Sequence, residues 1–223
     1  MSPNIELIDF GVSDYEKILH YQTDLFEQMI REKKETGITE KEYLLLGEHE
    51  AVITIGKHGK KENILFDGFQ LESNKIKVFE IGRGGDVTYH CPGQLIAYPL
   101  IDLNRHGLGV KKYVDLLEET VIKVIAAYGI KGERIEGATG VWIRKNGEDR
   151  KICALGIKCS RYCTMHGIAL NVNSKLDGFK MINPCGFTDK GVTSIQQELK
   201  KEIDIKEVKK RFSDIFFRLI FSL

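Results

Sequence analysis

Three short stretches of this chain carry residue types whose spacing could do chemistry. The first is Arg83-Gly84-Gly85-Asp86-Val87-Thr88-Tyr89-His90-Cys91-Pro92-Gly93-Gln94-Leu95. Adjacent glycines let a backbone approach a ligand and expose its N–H groups, and Arg83 offers a forked donor for an anionic or carbonyl group. An extended Val87 to His90 places Thr88 and His90 on one face. The plain alternative is a glycine turn with two ordinary polar residues. The run is neither GxGxxG nor GxxxxGKS, so neither the dinucleotide fingerprint nor the P-loop is supported. In the second stretch, Lys151 opens the apolar run Ile152-Cys153-Ala154-Leu155-Gly156-Ile157. An ammonium drawn into such surroundings loses hydration and becomes a base near neutrality, whereas a lysine at a strand edge keeps its head in water. The spacing alone does not choose. The third stretch, Asn183-Pro184-Cys185-Gly186-Phe187, sets a thiol in a punctuated turn, where a neighbouring base can generate the nucleophilic thiolate. Cys153, inside an apolar run, reads instead as core filler. Cys159, Cys163 and His166 lack a fourth ligand at zinc spacing, so no metal is expected. His166 and Gly167 lie in Thr164 to Asn171, a segment that reads equally as structural.

Something must hold these stretches in place, and the chain is long enough to build it. Its 223 residues exceed one average domain but not two, with 42% hydrophobic and 29% charged residues, as in an ordinary globular protein. The net charge of +1, without long blocks of one sign, excludes the broad positive field of a non-specific nucleic-acid binder. No apolar run reaches membrane-spanning length and no basic-then-hydrophobic leader opens the chain, so no membrane association is expected. Five cysteines are an odd number, and they fit free thiols in a reducing cytoplasm.

The elements read as follows. Ile5 to Phe10 alternates as a strand, and Ser13 with Glu16 makes a capping box before an amphipathic helix through Met29. Tyr43 to Leu46, Ala51 to Ile55, Ile76 to Ile81, Leu95 to Leu100 and His166 to Val172 read as strands. Tyr113, Leu116, Leu117, Val121, Val124 and Ile125 mark a central helix that Gly129 ends, and Ile205 to Leu219 marks a final one. Asn146-Gly147 signals a hairpin, with a loop longer than the tightest turn, and Thr193 with Gln196 caps a short helix. Residues 56–74 show little period and read as a binding loop or an irregular surface segment. The expected fold is one α/β domain over residues 1–223, an α+β-like mixed sheet flanked by helices, with a small C-terminal subregion from residue 183.

Taken together, the three stretches resemble the octanoyltransferase family. Arg83 to Leu95 is similar to its RGG-x-VTYH-x-PGQL run, Lys151 to Lys158 to its K-x-x-x-LG-I-K segment, His166 to Val172 to HG-I-ALNV, and Ile182 to Gly186 to INPCG. Cys91 stands where the family has Gly, a change that would reshape the pocket wall slightly. Asp86 fills a variable slot and receives no role. The resemblance implies a fold shared with lipoate and biotin protein ligases. It implies Cys185 as acyl acceptor and Lys151 as its base, with Arg83, Gly84, Gly85, Thr88, His90, Gly156, His166 and Gly167 around the substrate. Backbone N–H groups near Gly156 and the His90 side chain are its candidate oxyanion donors. It also implies octanoyl-acyl carrier protein as donor. The acceptors would be apo lipoyl domains of 2-oxo acid dehydrogenases or the glycine-cleavage H protein. No cofactor would be needed. Lys57, His58, Lys60 and Lys61 would face the acidic carrier. The alternative readings are an ATP-dependent lipoate or biotin protein ligase and a lipoyl-domain amidotransferase.

Overall fold

A computed structural model describes residues 5–183 and 191–222. The chain opens with β1 (Ile5–Ser13) and α1 (Tyr15–Thr36). The helix starts one residue later than the capping box predicts. Asp14 is its N-cap, accepting from the N–H groups of Glu16 and Lys17, while the Ser13 hydroxyl turns back to the Phe10 carbonyl. A carboxylate directly ahead of the helix is the stronger acceptor for those unpaired donors.

Next come β2 (Glu42–His49), β3 (Val52–Ile55), the short helix α2 (Gly68–Ser73), β4 (Lys77–Glu80), β5 (Val87–His90) and β6 (Gln94–Leu100). They are followed by α3 (Val110–Ala126), β7 (Glu133–Ile135), β8 (Ala138–Lys145), β9 (Glu148–Ser160) and β10 (Cys163–Asn171). The chain closes with β11 (Gly191–Val192), α4 (Ile195–Leu199) and α5 (Ile205–Phe221). The large sheet has the order β1-β2-β6-β10-β9-β8-β7, and β11 pairs with β9. The β1–β2 and β9–β11 pairs are parallel and the others antiparallel, which makes the mixed sheet expected of an α+β-like fold. A smaller sheet, β4-β3-β5, stands apart.

Period-two alternation sends neighbouring strand residues to opposite faces. Leu44, Leu95 and Leu170 meet Tyr113, Leu117 and Val121 of α3 and Phe212 and Phe216 of α5 in one core. Leu45, Ile96 and Met165 meet Ile18, Phe26 and Met29 of α1 in the other. Gly129, at φ 76°, turns the chain just beyond α3.

Two local expectations are corrected. Lys145 pairs directly with Glu148, so Asn146-Gly147, at φ 56° and 81°, forms the tightest two-residue hairpin rather than a longer loop. The N-cap of α4 is Ser194, which accepts from Gln197, because the Thr193 hydroxyl is committed to Glu198. Residues 56–74 hold a 3-10 turn at Lys61–Asn63 and helix α2, whose Asp67 and Gln70 form a capping box. Ile64, Phe66 and Leu71 pack that segment onto the core of the small sheet.

Candidate active site

A cavity of about 350 Å³ opens between the two sheets and the start of α1. Of the residues expected at a site, Lys151, Arg83, Gly85, Thr88, His90, Gly156, His166 and Gly167 line it. Gly84 does not: it sits behind the wall, its N–H donating to Ile157 O at 2.8 Å and its carbonyl accepting from the Arg83 guanidinium at 3.0 Å. Cys185 lies outside the described residues.

Lys151 reaches the cavity because β9 carries a bulge. Val141 pairs with Cys153 and Trp142 with Lys151, so Ile152 is an extra residue on β9. Ile152 and Cys153 both pack into the α3 side of the sheet. The parity of the strand changes there, and Lys151 joins Ala154 and Gly156 on the cavity wall. Its Nζ lies 4.6 Å from the centroid of the Trp142 ring, a cation–π distance. Lys151 is not on a strand edge, since β8 flanks it on one side and Val192 of β11 on the other. Its carbonyl accepts from Thr193 N–H at 3.0 Å.

The glycine turn is shaped from within. Gly85 takes φ 85°, which a side chain would strain. A Cβ on Gly156 would stand 2.6 Å from the Gly84 carbonyl, so β9 accepts the turn only at a glycine. Arg83 is 8% exposed. Its described hydrogen bonds are to the Thr54 carbonyl at 2.9 Å, the Thr54 hydroxyl at 2.8 Å and Gly84 O. Two of its donor contacts thus brace β3, because Thr54 lies directly beside it, while the side chain also lines the cavity. Asp86 does have a task. Its carboxylate accepts from Asn63 Nδ2 at 3.0 and 2.9 Å, and the Asn63 carbonyl accepts from Asn183 N–H at 2.7 Å. Residues 63–65 thereby pair with 181–183, the stretch leading to Pro184 and Cys185.

Three histidines gather near this wall in neutral form. Burial pushes His49 down to about 4, and His90 and His166 each down to about 3. His49 contacts Tyr98 OH at 2.9 Å, His90 Nδ1 contacts Gln94 Oε1 at 2.8 Å, and His166 sits edge-on to Tyr98. His166 also takes φ 60° inside a strand, where its N–H turns to Gln22 Oε1 at 3.1 Å. Such strain in a non-glycine residue is characteristic of functional walls.

Sequence reasoning missed Trp142, Tyr15, Tyr98, His49 and Asn63. The one signal for the first was that Trp142 is the chain's single tryptophan, a few residues before the Asn146-Gly147 hairpin. Gln94 and Asn171 stood inside the quoted runs without being singled out.

The described thiols are not poised to react. Burial pushes Cys91 up to about 11, Cys163 up to about 12, and Cys153 and Cys159 above the ordinary thiol value. Cys91 packs in the small sheet's core and is not among the lining residues, so any effect of it on the pocket wall is indirect. Among the described residues no three His, Cys, Asp or Glu side chains gather as a metal site. Of the 56–74 segment, His58 lines the cavity, while Lys61 pairs with Glu80 at 2.8 Å on the surface. The N–H groups of Lys57 and His58 hold the glycine turn through Arg83 O and Gly85 O, at 2.9 and 3.1 Å. No helix of the described residues is long and apolar enough to cross a membrane.

Comparison with known proteins bears on this geometry. The lipoyl protein ligase A/B catalytic domain family matches residues 14–217. An octanoyltransferase of Porphyromonas gingivalis is 49% identical over 94% of this chain, which spans only 43% of that longer relative. An octanoyltransferase of Parabacteroides distasonis is 47% identical over 95% of this chain and 96% of its own length. Among solved structures, a lipoate-protein ligase A bound with ATP superposes with a TM-score of 0.74. That match covers 99% of this chain and 86% of the other at 16% identity, a likeness of fold.

Proposed function

The chain belongs to the octanoyltransferase family, and from that premise we propose that it moves an octanoyl group from octanoyl-acyl carrier protein to the acceptor lysine of an apo lipoyl domain through a thioester on Cys185. Residues 1–223 act as one catalytic domain, with 183–223 as its C-terminal subregion. The reaction belongs in the cytoplasm, where a thiol nucleophile stays reduced.

The observation that carries this reading is Lys151, brought by a bulge onto the wall of a cavity at the lower end of the roughly 300–1,000 Å³ range of small-molecule sites. The raised thiols at 91, 153, 159 and 163 support it from the other side, since none of them is disposed to be thiolate at neutral pH.

The steps balance. Lys151, as the neutral amine, takes the Cys185 proton, and the thiolate attacks the carbonyl carbon of the donor thioester. The C–S bond to the carrier's phosphopantetheine breaks, and that sulfur leaves with the proton returned by Lys151. The acceptor amine then attacks the Cys185 thioester and gives its proton to Lys151. The new C–N bond forms, the C–S bond to Cys185 breaks, and the thiol is restored. One thioester becomes one amide and one thiol, so the donor already carries the activation. Thr88, Gly85, Gly156, His166 and Gly167 would contact the acyl group or its thioester, with Arg83 and Gly84 shaping the wall behind it.

The test is transfer to an apo lipoyl domain, followed by mass. Octanoyl-acyl carrier protein without nucleotide should add one octanoyl group to that domain. Modification only with free octanoate plus ATP would make the chain a ligase, and modification only from another octanoylated lipoyl protein would make it an amidotransferase.

A further inference from the structure

We infer that Gln94 and Asn171 are positioning residues that fix His90 as its Nδ1–H tautomer and tie Arg83 to the strand beside Lys151 through one directed chain of hydrogen bonds. The carbonyls of Thr193 and Tyr89 can only accept. Asn171 must therefore turn its Nδ2 to Thr193 O, at 3.0 Å, which leaves its Oδ1 to accept from Gln94 Nε2 at 2.9 Å. The same Gln94 nitrogen donates to Tyr89 O at 3.2 Å. With its amide nitrogen fixed twice, Gln94 shows Oε1 to His90 Nδ1 at 2.8 Å, and that oxygen can only accept. The proton is on Nδ1.

Burial keeps the ring neutral, so Nε2 carries a lone pair. The nearest described partner of Nε2 is the Thr54 hydroxyl at 3.4 Å, which itself accepts from the Arg83 guanidinium at 2.8 Å and has its own proton left to give. Every donor then points one way: Arg83 to Thr54, Thr54 to His90, His90 to Gln94, Gln94 to Asn171, Asn171 to Thr193 O. A permanent cation heads the chain, and each bond polarises the next. The path crosses from the small sheet through β6 and β10 to the residue after β11, whose N–H holds the Lys151 carbonyl. Both walls of the cavity are joined by it.

One expectation changes as a result. The single N–H of His90 is spent on Gln94, so His90 does not serve as an oxyanion donor.

The tautomer does not depend on the proposed reaction; the effect on turnover rests on it. In the 15N-labelled protein at neutral pH, with His90 assigned by its loss in His90→Gln, the long-range 1H–15N spectrum should show a protonated Nδ1 and an unprotonated Nε2. An Nε2–H ring in that spectrum overturns the inference. In Asn171→Ala and Gln94→Leu the His90 pattern should change, and kcat for octanoyl transfer should fall about tenfold or more, with KM for the carrier within about twofold. An unchanged pattern with unchanged kcat in both variants also overturns it. If neither variant folds, the native spectrum still decides. Absence of octanoyl transfer in the native enzyme would remove the proposed function and leave the tautomer result standing.

Discussion

Lys151 differs from the chain's surface lysines in what surrounds it: an indole face, a strand on each side and a cavity in front. A positioned general base supplies about 10²- to 10⁴-fold in rate. Lys151→Ala should therefore lower single-turnover acylation at least about a hundredfold while its circular dichroism and thermal transition stay native. Wild-type acylation in a folded variant would remove Lys151 from the chemistry. The contrast is with Cys153, Cys159 and Cys163. Their thiols serve packing, and the triple replacement by Ala should change turnover less than about threefold, while the melting temperature records the lost contacts at buried Cys153 and Cys163. A large loss of kcat with unchanged stability would show that one of those thiols takes part.

At the scale of elements, the parts of the site come from features that pair distant segments. Helices α3 and α5 and most strands were legible because their apolar periods are local and long. The Ile152 bulge was not legible, since it exists only as a mismatch between β8 and β9, and no residue near Lys151 announces it. Helix caps moved by a single residue for a related reason: Ser13 and Asp14 are both competent, and strand pairing claims the first. The glycine run was read as a place where backbone comes close to a ligand; the close approach that the structure shows is to β9, and Arg83 reaches the Thr54 hydroxyl beside it. Asp86 looked like a filler of a variable slot because its partner Asn63 is 23 residues away. Asp86→Ala removes both bonds to Asn63 and loosens the pairing of residues 63–65 with 181–183. It should cost about 1–3 kcal/mol in urea unfolding and lower kcat several-fold. Equal stability and activity would show that this strap holds nothing of consequence.

The molecule as a whole places its cavity between two sheets, which is why buried histidines collect there. The unfolded chain protonates a histidine near about pH 6.5, whereas the folded chain does so only near about 4 at His49 and about 3 at His90 and His166. The unfolded state therefore binds more protons below pH 6.5. Stability is complete above that value and falls as pH drops toward 4 and 3, by up to about 2 kcal/mol per histidine at pH 5. The urea midpoint should fall between pH 7 and 5, and His49→Gln should flatten the slope; a midpoint independent of pH would contradict this account of the buried rings.

Fold alone does not separate transferase from ligase, because the same architecture serves a ligase that binds ATP. The covalent intermediate does separate them. The decisive measurement is the intact mass of the enzyme after incubation with octanoyl-acyl carrier protein and no acceptor, beside Cys185→Ala. A gain of one octanoyl group, released by hydroxylamine and absent from the variant, is the predicted result. An unmodified native enzyme, or the same adduct on Cys185→Ala, would contradict the thioester route.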